Sequence, residues 1–126
     1  MIPLNQNQIV KMHDKIVAAT GGLQGIRDET ALNSALFAAF QTFGGVELYP
    51  TIVEKIVRTT YGVICNHAFA DGNKRTGTYV MLELFDLNNI KTNFSDDDIV
   101  RIGVETANGT MKYEQLLEFI QTRIGE

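Results

Sequence analysis

Two stretches of this chain leave little choice of fold. Over residues 51–65, Ile52, Val53, Ile56, Val57, Tyr61, Val63 and Ile64 cover most of a helical surface. Over residues 74–87, Tyr79, Val80, Met81, Leu82, Leu84 and Phe85 are apolar nearly all round. A helix without a polar face must be covered by other elements of the fold. Thr51 and Glu54 have the spacing of a capping box, in which each side chain satisfies the other residue's backbone N–H, so the first helix should start there. Asn88-Asn89 ends the second, which is expected to be the central helix.

The rest of the chain supplies the cover. Ile9, Val10, Met12, Ile16 and Val17 make a helical stripe over 8–19, closed by Gly21-Gly22. Asp28 can cap a further helix that buries Ala31, Leu32, Ala35, Leu36 and Ala39 and runs to Gly44-Gly45. Ser95 and Asp98 repeat the capping pattern ahead of Ile99, Val100, Ile102 and Val104, and the acidic run Asp96-Asp97-Asp98 suits the positive end of that helix. After Asn108-Gly109 comes a last amphipathic helix with Leu116, Leu117, Phe119, Ile120 and Ile124. Val46-Glu47-Leu48-Tyr49 alternates in polarity, and Pro50 excludes it from a sheet interior, so it reads as a small extended flap. The expectation is one all-α domain over 1–126, a compact six-helix bundle with a short β flap near 46–50.

A chain of 126 residues, 44% hydrophobic, can bury one core without metal or disulfide staples. The net charge of −4 gives no basic excess for gripping nucleic-acid phosphates. Cys65 is the single cysteine, which excludes an intrachain disulfide and a Cys-rich zinc site; on an apolar helix it reads as a core thiol. The start lacks a signal-peptide pattern, and no window approaches the roughly 18 apolar residues of a membrane span. A soluble cytoplasmic protein is expected, with no direct nucleic-acid or membrane binding.

Chemistry concentrates in His67-Ala68-Phe69-Ala70-Asp71-Gly72-Asn73-Lys74-Arg75, between the two buried helices. Lys74 and Arg75 open a helix whose first backbone N–H groups lack partners, and a preceding Gly lets an anion approach them closely. Gly72, Asn73, Lys74 and Arg75 together make a phosphate cradle. Asp71 is the natural magnesium ligand, because that ion takes a carboxylate plus phosphate oxygens and water. His67 suits proton abstraction from a hydroxyl near neutral pH, and Phe69 plugs the loop into the core. Read from the residues alone, the segment is either a phosphoryl- or nucleotidyl-transfer site or a polar turn before a solvated helix. A metal hydrolase on His67, Asp71 and His13 is a further possibility, although nothing in the sequence places His13 nearby. His13, beside Asp14, reads as a surface or packing residue, and Tyr79 and Tyr113 as core or rim.

The same residues resemble the signature of the Fic/Doc family, H-x-F-x-(D/E)-(G/A)-N-(G/K)-R, which His67, Phe69, Asp71, Gly72, Asn73, Lys74 and Arg75 match. Gly21-Gly22-Leu23, Gly25-x-Arg27-Asp28 and Thr42-Phe43-Gly44-Gly45 are similar to the Doc branch. Fic proteins typically transfer AMP from ATP to a protein hydroxyl. Doc-type toxins move the terminal phosphate onto a threonine of elongation factor Tu and so inhibit translation. Lys74 stands where AMP-transferring members carry Gly, and Thr78 where they carry a second Arg, so the resemblance implies the kinase-like reaction, with AMP transfer as the alternative. It implies His67 as base, Asp71 on magnesium, Gly72 to Arg75 on the phosphates of ATP, and Val46, Glu47, Leu48 and Tyr49 as a target-docking flap. It also implies a small antitoxin partner. The inhibitory pattern S/T-x-x-x-E-G/N has no full match: Thr110 and Glu114 fit, but Gln115 follows. A non-catalytic binding module is the third reading.

Overall fold

Capping chemistry decides where most of the helices begin. The computed structural model describes residues 1–125. In it, α1 (Gln6–Thr20) starts behind a reciprocal Asn5–Gln8 capping box, and α2 (Glu29–Ala38) behind Asp28, whose carboxylate accepts from the Ala31 N–H at 3.0 Å. α3 (Ile52–Cys65) carries the expected Thr51–Glu54 box. α4 (Asn73–Leu87) differs, since its N-cap is Gly72 and no side chain caps it. α5 (Asp96–Ala107) begins with the Ser95–Asp98 box, and α6 (Tyr113–Gln121) completes the helices. Among the described residues, the fold is therefore six helices plus one small hairpin, as the apolar patterning requires. None of the helices is long and apolar enough to cross a membrane.

α3 and α4 form the central pair. α2, α5 and α6 pack against α3, while α1 and α5 pack against α4. Close approach depends on glycine: a Cβ on Gly77 would lie 2.3 Å from Cγ1 of Ile64, and one on Gly62 would lie 2.8 Å from the Ala35 methyl. Around these contacts Ile56, Ile64, Phe69, Met81, Leu84, Phe85, Ile102, Leu116 and Ile120 are fully buried. Each such side chain contributes about 1.5–3 kcal/mol.

Five elements depart from the sequence expectation. α1 starts at Gln6 rather than residue 8, because Asn5 and Gln8 cap it. α2 stops at Ala38, and Gly44-Gly45 is instead the turn of a hairpin, with φ +59° and +81°, values that suit a two-residue turn. The flap is thus two strands, β1 (Thr42–Phe43) and β2 (Val46–Glu47), paired Thr42 to Glu47 and Phe43 to Val46, while Leu48 and Tyr49 lie past the second strand. α4 gains Asn73 at its start. α6 ends before Ile124, which bridges to Thr92 instead.

The flap is tied down by an unusual group. Lys55 on α3 is only 6% exposed, and a buried ammonium needs a partner. Its Nζ donates to the Tyr49 carbonyl and pairs with Glu47 at 2.9 Å. Tyr49 then meets Tyr113 edge to face, at 5.1 Å between ring centroids.

Asp98 takes two bonds from the Arg123 guanidinium, at 2.8 and 3.1 Å, besides its role in the capping box. The Arg123 hydrogen bond, aided by the Ser95 N–H, pulls its pKa down to about 2. The unfolded carboxylate titrates near ~3.9, so this pair contributes its full stability above about pH 4 and loses it as the pH falls towards 2. The Asp98→Asn protein should show a flatter fall in thermal midpoint than the native chain across that window. An identical acid limb in the two proteins would remove this role.

Candidate active site

The segment between α3 and α4 turns sharply, and its neighbours hold the turn. His67 has φ +54°, a left-handed conformation that costs a non-glycine residue about 1–2 kcal/mol. Arg27 offsets it: its guanidinium donates to the His67 carbonyl, and the N–H groups of Arg27 and Asp28 both donate to the Ala68 carbonyl at 2.9 Å. This leaves the His67 side chain exposed at the surface while Ala68 and Phe69 are buried. The Asn73 amide clasps Phe69 from the other side, accepting from its N–H at 3.1 Å and donating to its carbonyl at 2.8 Å. Phe69 therefore anchors the loop as expected. Asn73 shapes the loop with its side chain, and its remaining amide hydrogen and backbone N–H stay available for a phosphate.

Beneath the loop lies a residue that sequence reasoning left apart. His13 of α1 is 0% exposed and stacks on Phe69, with centroids 3.8 Å apart and planes 8° from parallel. Its Nδ1 lies 3.0 Å from Asp14 Oδ1, and its Nε2 lies 2.8 Å from the Asp71 carbonyl oxygen. Both nitrogens are occupied, so the ring is no free metal ligand, which removes the His67–Asp71–His13 hydrolase. Asp14 also accepts from the Gly25 N–H at 2.9 Å, and that bond, then the His13 contact, lowers its pKa. The glycine-rich segment 21–25 closes over Asp71, whose Oδ2 accepts from the Leu23 N–H at 3.2 Å.

Four of the expected site residues converge. Gly72, Asn73, Lys74 and Arg75 line one wall of a groove of about 640 Å³ at the uncapped start of α4. Gly72 has φ +79°, and a Cβ there would meet Val17 at 3.3 Å and the His13 ring at 3.5 Å. Thr78 lines the same groove and is 3% exposed; its hydroxyl donates to the Arg75 carbonyl at 3.0 Å, so no cation stands there. His67, Asp71 and the flap residues Val46, Glu47, Leu48 and Tyr49 are not among its walls.

The facing wall is α5, with Asp96, Ile99, Val100, Gly103 and Val104. Its part was missed. The available signal was that Ile99, Val100, Ile102 and Val104 cover more than one stripe of that helix, and Val100 stays 64% exposed. Asp96 thus faces the groove, whereas Asp98 is used in capping. Gly103 packs beside Lys74 and Thr78 of α4, where a Cβ would make ordinary contact at 3.5 and 3.6 Å. Tyr79, also on the groove, is a rim residue at 44% exposure. Cys65 is half-buried, its Sγ points to the Thr106 carbonyl, and burial pushes its pKa up, against any nucleophilic role. Tyr113 packs under the flap with its pKa raised mainly by burial, and Thr110 to Glu114 do not reach the groove.

An uncapped helix start, a glycine that admits close approach and two cations on one wall are the donor set of a polyphosphate site. Asp71 is an exposed hard-oxygen donor with a single N–H partner on one oxygen, which fits magnesium. Among the described residues no three His, Cys, Asp or Glu groups gather, so a cation at Asp71 would take its other ligands from phosphate and water.

A profile described as the Fic/DOC family matches residues 3–85, which spans α1 through most of α4 and includes the whole loop. The chain belongs to the Fic/Doc family. Within it, the Toxin Doc of Mycolicibacterium smegmatis is 38% identical over 58 residues, a match that covers 46% of this chain and 45% of that relative. The Doc branch is therefore where this Fic/Doc chain sits, and the matched stretch spans less than half the relative's length. The family signature and the groove wall coincide at Gly72, Asn73, Lys74 and Arg75. Gly72→Ala should destabilise this Fic/Doc fold by about 1–2 kcal/mol for the left-handed backbone, before any cost of contact with Val17. Urea denaturation measures it, and a midpoint unchanged from the native chain would refute the strain.

Proposed function

We propose that this chain is a Doc-like toxin of a toxin–antitoxin pair, an enzyme that transfers the terminal phosphate of ATP to a hydroxyl of a target protein. The proposed acceptor is a threonine of elongation factor Tu, with inhibition of translation as the result. The observation that carries the reading is the uncapped start of α4, where Gly72, Asn73, Lys74 and Arg75 line one groove next to the His67 loop. Phosphoryl transfer asks mainly for positioning and charge neutralisation, which this wall provides.

Magnesium-ATP would supply the phosphoryl group, with Asp71 as the protein's ligand to the metal. The backbone N–H groups at Gly72 and Asn73 bind phosphate oxygens, and Lys74 and Arg75 neutralise their charge. His67, exposed on the loop, takes the proton of the acceptor hydroxyl as that oxygen attacks the terminal phosphorus, whose bond to the bridging oxygen breaks so that ADP leaves. The hairpin carrying Val46, Glu47, Leu48 and Tyr49 holds the target segment by strand addition. Exposed Phe43 and Val46, at 81% and 69%, give it apolar purchase. Lys74 and the cation-free Thr78 favour phosphate over AMP as the group transferred.

Intact-mass spectrometry of elongation factor Tu, after incubation with the protein, ATP and magnesium, separates these outcomes. A gain of one phosphate is expected, abolished in His67→Ala and strongly reduced in Asp71→Ala, both of them folded by circular dichroism. A gain of one AMP would replace the kinase reading with nucleotidyl transfer. Full activity in His67→Ala would overturn the base.

A further inference from the structure

His13 is buried at a cost that packing alone does not explain. A phenylalanine would stack on Phe69 equally well, whereas an imidazole in the core must find partners for both nitrogens. The partner of Nε2 is a backbone carbonyl, that of Asp71, at 2.8 Å. A carbonyl only accepts, so the bond to Asp71 forms with a hydrogen on Nε2, as the acceptor Asp14 Oδ1 asks for one on Nδ1. The peptide bond is planar and trans, so the N–H of a peptide points opposite to its C=O. Turning the Asp71 carbonyl inward onto His13 therefore turns the next N–H, that of Gly72, away from the core, and Gly72 lines the groove.

We propose that His13 is a positioning residue of the phosphate site: it rotates the Asp71–Gly72 peptide so that the Gly72 N–H faces the groove as an anion donor. The role rests on the phosphate-transfer reading of that groove. The setting makes the rotation rigid. Asp14 holds Nδ1 at 3.0 Å and takes the Gly25 N–H at 2.9 Å. Segment 21–25 returns to the same residue, with the Leu23 N–H on the Asp71 carboxylate. Asp71 is thus gripped by its main chain from below and by its side chain from above, in a closed ring of hydrogen bonds. The flat stack on Phe69 fixes the plane of the imidazole, and with it the direction in which Nε2 donates. The ring also backs directly onto Gly72, lying 3.5 and 3.6 Å from where a Cβ of that residue would be.

The probe is inorganic tripolyphosphate, titrated into ¹⁵N-labelled protein while the Gly72 amide is followed by NMR. In the native chain the Gly72 signal should move with saturation, and a long-range ¹H–¹⁵N spectrum should show a hydrogen on His13 Nε2. His13→Phe keeps the stack and loses both hydrogen bonds; its affinity should fall by about tenfold, as for one lost hydrogen bond, with no movement at Gly72. His13→Gln returns a donor towards the carbonyl and should recover most of the affinity and the Gly72 shift. Native-like affinity and Gly72 movement in His13→Phe would overturn the proposal, as would an Nε2 without hydrogen or a still Gly72 signal in a native chain that binds. Absence of any tripolyphosphate binding by the native chain would overturn the phosphate site itself, and this role with it. The native measurements decide the matter even where His13→Phe does not fold.

Discussion

The close approach of α3 and α4 is the constraint on which the site depends. Gly77 lies against Ile64 where no side chain could fit, and this brings the end of one helix and the start of the next within a short loop of each other. A loop so tight cannot satisfy its own backbone. It borrows partners from outside itself: the N–H groups of Arg27 and Asp28 on the Ala68 carbonyl, the Asn73 amide at the start of α4 on Phe69, the His13 ring on the Asp71 carbonyl. Buried polar groups must be bonded, and here that requirement fixes the shape of the loop. The start of α4, at the end of this loop, is left with backbone donors that no side chain caps.

Much of the fold was legible because helix starts announce themselves locally. Thr51 with Glu54 and Ser95 with Asp98 are read from four residues each, and the structure uses both pairs. The flap was less legible. Gly44-Gly45 ends a helix or turns a hairpin with equal ease, and only the pairing of Thr42 with Glu47 decides between them. Short strands carry too little alternation to be told from a loop.

The candidate site was legible where it is contiguous and illegible where it is assembled. His67 to Arg75 stand together in sequence, and the family profile that matches residues 3–85 includes them. The α5 wall, with Val100 and Val104, comes from another part of the chain, and its exposed apolar groups look like ordinary helix cover until the groove is seen. His13 is the sharper case. A lone histidine beside an aspartate on an amphipathic helix has no periodicity to mark it, and its partner carbonyl lies 58 residues away. Side chain to backbone contacts of that range leave no trace in composition or spacing.

α3 joins the two working parts of the proposed enzyme. Near its start the buried Lys55 ammonium holds Tyr49 and Glu47 of the flap, and just past its end stands His67. At a rise of about 1.5 Å per residue, the helix from Lys55 to Cys65 sets roughly 15 Å between the flap's anchor and the His67 loop. In the proposed reaction that length would select which residue of a docked segment reaches the imidazole. One residue inserted into α3 would also swing the arm by about 100° around the axis. Target choice in such a protein is written partly as a count of helical residues, and not only in the side chains that touch the target.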